Sequence, residues 1–332
     1  SFFFFSLCIF LYFSSFPLVS FSPFLLVPLS PCPLVSLSLK MKNLKNQLLK
    51  IANNTNRSSE EVLNYHLLES TLRRVANSSY ANELVLRGGM LTRLWISPEK
   101  RIAEDVDFLG LYTFDIESTK EKFINIFSSK NINTNFTDEV IFDIDSLEAT
   151  GIWLETEYPG VRINIDAVFE DYQKNIQIDV GFGDPIVPPP RWIDYPLLTK
   201  EKIKLKTVTP ETMFGWKLHG LVEQGIRRWR PKDLYDLLLF TTCIELDESL
   251  VKKSIFTAFH SRNTTFEEIY YILSTPEWWD RSKNRGKWKW YLRRKPEQNI
   301  EADFLSIVAI VRQRWEKTVK EILDSETSSV LA

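Results

Sequence analysis

Cysteine and histidine are scarce in this chain of 332 residues, three of each. Cys8, Cys32 and Cys243 lie too far apart for a zinc spacing and are too few for a disulfide framework, which fits a reducing, cytoplasmic setting. His66, His219 and His260 form no ligand pattern, and His219, in the helical run with Lys217, reads as a helix-face residue. Excess charge is also missing: at net −2 no overall field draws the chain to nucleic acid, so any such contact must use a local patch. Residues 1–39 carry no charge at all. They still do not read as a membrane span, because prolines recur at Pro17, Pro23, Pro28, Pro31 and Pro33 and the longest proline-free run, Ser1 to Phe16, falls short of about 20 residues. A secretory signal would need a basic start, which is lacking. Methionine first occurs at Met41, where ordinary globular composition begins. Residues 1–40 are therefore expected to be translated upstream sequence, with Met41 as the natural start and no membrane partner.

What remains, at 44% hydrophobic and 25% charged, is globular material long enough for two domains. Its organising stretch is Glu83 to Leu111, ELVLRGGMLTRLWISPEKRIAEDVDFLGL. Glu83–Arg87 alternates as a short strand, Gly88-Gly89 breaks it, and Leu91, Leu94 and Trp95 follow at helical spacing. Glycines without side chains let a ligand approach the backbone, and the free N–H groups of the next helix attract phosphate. Glu104 to Phe108 then reads as a strand that puts Asp105 and Asp107 on one face and Val106 and Phe108 in the core. Two carboxylates side by side repel unless a cation lies between them, and oxygen-only ligands favour Mg²⁺ or Mn²⁺. A glycine phosphate turn before an Asp-x-Asp strand is the layout expected for metal-dependent nucleotidyl transfer. Alone, each half of the pattern also suits an ordinary turn and a solvated strand edge.

Either side of this stretch the pattern is mixed. Met41 to Asn77 is helical, with Ser58 or Ser59 as a cap and His66, Arg73 and Arg74 as solvated faces. Asp115–Ser129 reads as a helix. Strands are expected at Glu139–Asp145, where Asp143 and Asp145 form the polar side, and at Gly151–Glu157, Val161–Phe169 and Asn175–Phe182. The last two carry Asp166 and Asp179. A proline-rich crossing from Pro185 to Pro196 marks a boundary, giving a sheet domain over 41–196 and a helical domain over 197–332. Leu198–Thr207 suits a strand or an extended linker. Thr209-Pro210-Glu211 starts a helix that carries Lys217 and ends near Gly225. Pro231 starts the next, with Asp233 and Asp236 on one face. Between Thr275 and Pro296, Trp278, Trp279, Trp288, Trp290 and Tyr291 interleave with basic residues. Such a segment either stacks unpaired bases and neutralises phosphates or anchors a helix pair by its tryptophans. Arg227, Arg228 and Arg230 form a second basic group.

LVLRGGMLTRL, followed by AEDVDF, IQIDVGFGDPI (Ile176–Ile186) and MFGWKLHGLVEQGIRRWRPKDLYDLLLF (Met213–Phe240), resembles the AbiEii/AbiGii toxin family. The likeness covers roughly Leu84 to Phe240. It implies an α+β fold: a polymerase-beta-like minimal nucleotidyltransferase mixed sheet with flanking helices, followed by a helical C-terminal domain. It further implies that NMP passes from an NTP to an RNA acceptor, a tRNA 3′ end, within a type IV toxin–antitoxin or phage-defence system with a winged-helix antitoxin. Asp105 and Asp107 would hold the metal, and Gly88, Gly89, Arg93 and Lys217 would bind nucleotide. Asp233 would act at the catalytic centre with a third carboxylate, Asp179 ahead of Asp166. Arg227, Arg228, Arg230, Trp288 and Trp290 are the RNA-binding candidates. The family often has Thr or Ser after the glycines, where this chain has Met90; backbone N–H groups or Thr92 would substitute. The alternatives are an NTP-binding toxin without stable transfer and a nucleotidyltransferase that modifies protein.

Overall fold

The computed structural model describes residues 33–97, 100–128, 138–295, 300 and 303–330. Met41–Ala332 forms one compact unit. Apart from 33–40, the segment expected to precede the natural start lies outside the described residues.

Seven strands make one mixed sheet in the order β3-β4-β5-β2-β1-β7-β6. They are β1 (Leu84–Arg87), β2 (Val106–Gly110), β3 (Val140–Ile152), β4 (Gly160–Phe169), β5 (Tyr172–Phe182), β6 (Arg191–Pro196) and β7 (Lys202–Thr207). The short pair β1 and β2 sits at the centre, antiparallel, with Arg87 opposite Asp107. Parallel neighbours flank it, β5 on β2 and β7 on β1. The outer parts are the β3-β4-β5 meander and the β6-β7 hairpin, all antiparallel.

The helices before and between these strands are α1 (Pro33–Asn54), α2 (Ser59–Ala76), α3 (Gly88–Trp95) and α4 (Ile116–Ser128). α2 and α4 pack on the sheet, where alternation turns Leu86, Phe108, Val180 and Phe169 inward, all fully buried. Ser58 caps α2 by accepting the Glu61 N–H at 3.0 Å. Being flanked on several sides, α2 buries polar residues that the sequence pattern assigned to solvent. His66 packs edge-on against Phe169 and bonds the Asp138 carbonyl, while Arg74 pairs with Asp138 and Arg73 with Glu201. A one-helix pattern cannot register that a loop from elsewhere supplies Asp138.

Two strand boundaries also differ from the sequence pattern. β3 covers the strand expected at Glu139–Asp145 and continues to Ile152, with a register irregularity against β4 between Asp143 and Glu148, so that the second expected strand, Gly151–Glu157, is for the most part the β3–β4 turn. Asp143 and Asp145 are exposed there, as their alternation implies. β6 occupies the end of the proline-rich crossing, so the expected boundary at Pro196 falls inside the sheet. Proline is tolerated because β6 is an edge strand.

After the sheet come α5 (Pro210–Gly220), a 3-10 turn at Ile226–Arg228, α6 (Pro231–Cys243), α7 (Glu248–His260), α8 (Glu267–Ser274), α9 (Pro276–Trp279), α10 (Ser282–Arg294) and α11 (Phe304–Val330). Thr209 caps α5 and Pro210 starts it, as expected. The core of this half is aromatic: Trp229, Trp279, Trp288 and Phe304 form one ring-on-ring cluster, and Trp229 donates to Asn284 at 2.9 Å. Among the described residues no helix is long and apolar enough to cross a membrane.

Candidate active site

Gly88 has φ +72°, a left-handed conformation that favours glycine. The reason lies across the sheet. A Cβ at Gly88 would sit 1.8 Å from Asp107 Oδ2, so the first turn of α3 is laid directly against that carboxylate. Gly89 is under no such pressure, since its Cβ would meet Ala103 at an ordinary 3.5 Å. Asp105 precedes β2 by one residue rather than lying on it, yet both aspartates line one cavity of about 510 Å³ with Gly88 and Gly89. Among the described residues neither carboxylate has a hydrogen-bond or ion-pair partner. Burial, and then the neighbouring Asp107, push the Asp105 carboxyl above its usual range. This is a pair of acids short of a cation. No group of three or more His, Cys, Asp or Glu side chains among the described residues could hold a metal by itself. The pair therefore suits an ion such as Mg²⁺, which takes one or two carboxylates and completes its shell with water and substrate phosphates.

Asp179 faces Asp107 in register on β5, so the two side chains leave the same face of the sheet. It is buried, and Arg162 of β4 grips it with two bonds of 2.8 Å. Asp166 lies four residues further along β4, bound to Asn175, roughly 13 Å away along the strand.

Residues of α5 and α6 also line the cavity. Lys217 Nζ lies 2.9 Å from both Asp233 and Asp236. Burial works to lower its pKa, but the two carboxylates outweigh burial and hold it above the usual lysine range. Asp236 is fully buried; burial opposes its charge, yet Arg101 at 2.9 Å and Lys217 keep it well below the ordinary carboxylate range. Asp233 also takes Arg230, a pairing that needs Gly220, where a Cβ would come within 2.3 Å of the guanidinium. Lys217 has three N–H donors and only two carboxylate partners, which leaves one to point elsewhere.

Sequence reasoning missed several residues that line this cavity. Arg87 and Arg262 both pair with Asp184, joining the end of β1 to the end of α7. Lys232 is exposed at the cavity, and His219 bonds Thr264 at 2.9 Å. His219 is buried rather than on a solvent face, and burial, with Arg262 and Arg230, lowers its pKa to about 3. Arg87, adjoining the glycines in sequence, offered a signal. Asp184 and Arg262 offered none, being 78 residues apart.

The remaining candidates lie elsewhere. Arg93 points into the interior, 3.3 Å from Glu61 and over the Tyr65 ring, and does not line the cavity. A helix eight residues long that is covered on one side must turn part of its length inward, and Arg93 is on that part. Thr92 donates its hydroxyl to the Gly88 carbonyl at 2.9 Å and is buried. Arg227 and Arg228 are exposed on the 3-10 turn. Trp288 is 2% exposed and belongs to the aromatic core, whereas Trp290, one face covered by Arg294, is 53% exposed. Within α10, then, Trp288 anchors the helix to the core and Trp290 lies at the surface.

A family described as "Nucleotidyl transferase AbiEii toxin, Type IV TA system" matches residues 70–330. Among solved structures, the chain is similar to JHP933 from Helicobacter pylori, at 12% identity and TM-score 0.48, over 82% of this chain and 97% of that one. A "putative nucleotidyltransferase" from H. pylori also matches, at 12% identity and TM-score 0.46, over 81% and 96%. Comparison with curated proteins finds no match.

Proposed function

The chain belongs to the AbiEii nucleotidyltransferase toxin family of type IV toxin–antitoxin systems, and on that premise we propose that it transfers a nucleoside monophosphate from an NTP to the 3′ hydroxyl of an RNA, with tRNA as the acceptor class. The observation that carries the reading is a single cavity lined by the Gly88-Gly89 turn, two unpaired carboxylates and Lys217. Asp105 and Asp107 would hold Mg²⁺ or Mn²⁺, which when bound neutralises triphosphate charge and stabilises charge developing in the transfer. The N–H groups at the start of α3 and the free donor of Lys217 bind phosphate oxygens. Asp233 and Asp236 fix Lys217 in position, so the cation is preorganised for phosphate rather than mobile. The acceptor oxygen forms its bond to the α-phosphorus as the α–β anhydride bond breaks. Pyrophosphate carries the electron pair away, and the hydroxyl proton goes to a carboxylate, for which Asp179 beside Asp107 is the candidate. Arg227 and Arg228, exposed on the 3-10 turn, and Trp290 on α10 are the surface groups proposed to meet RNA; Arg230 is engaged with Asp233 and Glu223. A winged-helix antitoxin and a cytoplasmic location follow from the same family reading.

The test is incubation of the protein with each α-labelled NTP, Mg²⁺ and total RNA. Label should enter RNA, and Asp107→Asn should abolish it without lowering the melting temperature. Label that goes only to protein would remove the RNA acceptor and leave the transfer site standing. Nucleotide binding without any label transfer would favour a toxin that sequesters NTP.

A further inference from the structure

Three aromatic side chains line the cavity: Trp153, Tyr158 and Trp216. Two already hold cations, since the Arg262 guanidinium lies 4.6 Å from the Tyr158 ring and that of Arg87 5.6 Å from Trp216. Among the described residues Trp153 has no such partner, and it is 45% exposed. Leaving a large apolar ring half in water is unfavourable unless something covers it.

The chain also strains to present this ring. Trp153 has φ +55°, a left-handed conformation that is an outlier for a bulky residue and, where strain occurs, gathers at ligand sites. The β3–β4 turn holds it there: Thr156 bonds the Trp153 carbonyl through both its N–H, at 3.0 Å, and its hydroxyl, at 2.8 Å. Tyr158, further along the turn, donates to the Ser261 carbonyl at 2.7 Å and so anchors the turn to the end of α7. The ring needs space, and Gly160 supplies it, because a Cβ there would come within 2.9 Å of Trp153 Cε3.

Register shows which face of the sheet the ring covers. Asp107, Asp179 and Arg162 are paired across β2, β5 and β4, and Gly181 and Gly160 are the next pair on the same face. Gly181 is kept clear for Arg87, just as Gly160 is for Trp153. From Asp107 to Gly160 is two strand spacings across and two residues along, roughly 12 Å, which a single nucleotide spans from its phosphates to its base.

From these contacts we infer that Trp153 is a stacking platform for an unpaired nucleobase, held at one nucleotide's length from the acidic pair. This rests on the nucleotidyl-transfer reading of the cavity. The base belongs either to the incoming NTP or to the last residue of the RNA acceptor. Aromatic stacking accepts any base, so Trp153 sets affinity and position rather than base identity.

The experiment measures binding of three probes by calorimetry with Mg²⁺: an NTP with a non-cleavable α–β methylene bridge, a single-stranded RNA trinucleotide, and inorganic tripolyphosphate. Trp153→Ala and Trp153→Leu should weaken one base-bearing probe about tenfold, and Trp153→Phe should bind within about threefold of the parent. Tripolyphosphate, which has no base, should bind all four proteins alike. A loss confined to the NTP assigns the platform to the incoming nucleotide, and a loss confined to the trinucleotide assigns it to the acceptor. Equal binding of both base-bearing probes by Trp153→Ala overturns the inference while the transfer site stands. An equal loss for tripolyphosphate also overturns it, because the residue is then structural. Should the parent bind no nucleotide at all, the transfer reading falls and the platform with it.

Discussion

Replacing Gly88 with alanine adds one methyl group and should disable the site. Two effects follow from the geometry. An L-residue in the left-handed region costs about 1–2 kcal/mol, enough to lower the melting temperature by ~2–6 °C in a unit of this size. The larger effect is local. The new Cβ would lie 1.8 Å from Asp107 Oδ2 and 2.5 Å from its Cγ, inside any real contact distance. The carboxylate must retreat by about 1 Å, and a misplacement of that size costs roughly 100-fold in rate. The adjoining glycine supplies the control. Gly89→Ala meets only Ala103 at 3.5 Å and Arg101 at 3.8 Å, keeps its N–H, and gains up to ~1 kcal/mol of helix propensity. Initial rates with α-labelled NTP, measured beside melting curves, should show Gly88→Ala at about a hundredth of parent activity and Gly89→Ala close to parent. Equal loss in the two variants would refute the reasoning, as would full activity in Gly88→Ala.

Asp236→Ala should be the most damaging substitution to stability, by about 3–5 kcal/mol in chemical denaturation, because Lys217 and Arg101 would be left buried and short of a partner; a loss under ~1 kcal/mol would show that solvent reaches them. Lys217→Ala should raise the Km for NTP more than it alters metal dependence, since the partner proposed for the third donor of Lys217 is phosphate; an unchanged Km with a lost metal requirement would reverse that assignment. Stability should also fall with acid. The His219 pKa is lowered from 6.5 to about 3 by burial, so its contribution is complete above pH 6.5 and is lost as pH falls from there toward 3. The slope reaches up to about 1.4 kcal/mol per pH unit. His219→Gln should flatten the stability profile between pH 6.5 and 4 relative to the parent, and identical profiles would count against a neutral buried imidazole.

Local chemistry made much of this protein readable from the chain. The strand, glycine turn and helix at 84–95, the Asp105/Asp107 pair, and the Thr209-Pro210 helix start are each specified by a few adjacent residues. Alternation sends Val106 and Phe108 inward whatever surrounds them, and a proline at a helix start needs no distant partner. Lys217 and Asp233 are different: only the resemblance of the stretches around them to a known family singles them out, and spacing alone does not.

What tertiary structure alone decided are the pairings between distant positions. Asp236 receives Arg101 from 135 residues away, and Asp184 receives Arg87 and Arg262 from opposite directions along the chain. Arg93 looks like a phosphate-binding residue in the motif, but the packing of α3 on α2 turns it toward Glu61 and Tyr65. Trp288 and Trp290 are two residues apart and chemically identical, yet one is buried and the other exposed, because only the first meets Phe304. Side-chain type tells what a residue can do; whether a charge is a ligand or a structural pair depends on which groups the fold brings within about 4 Å, and no local pattern carries that information.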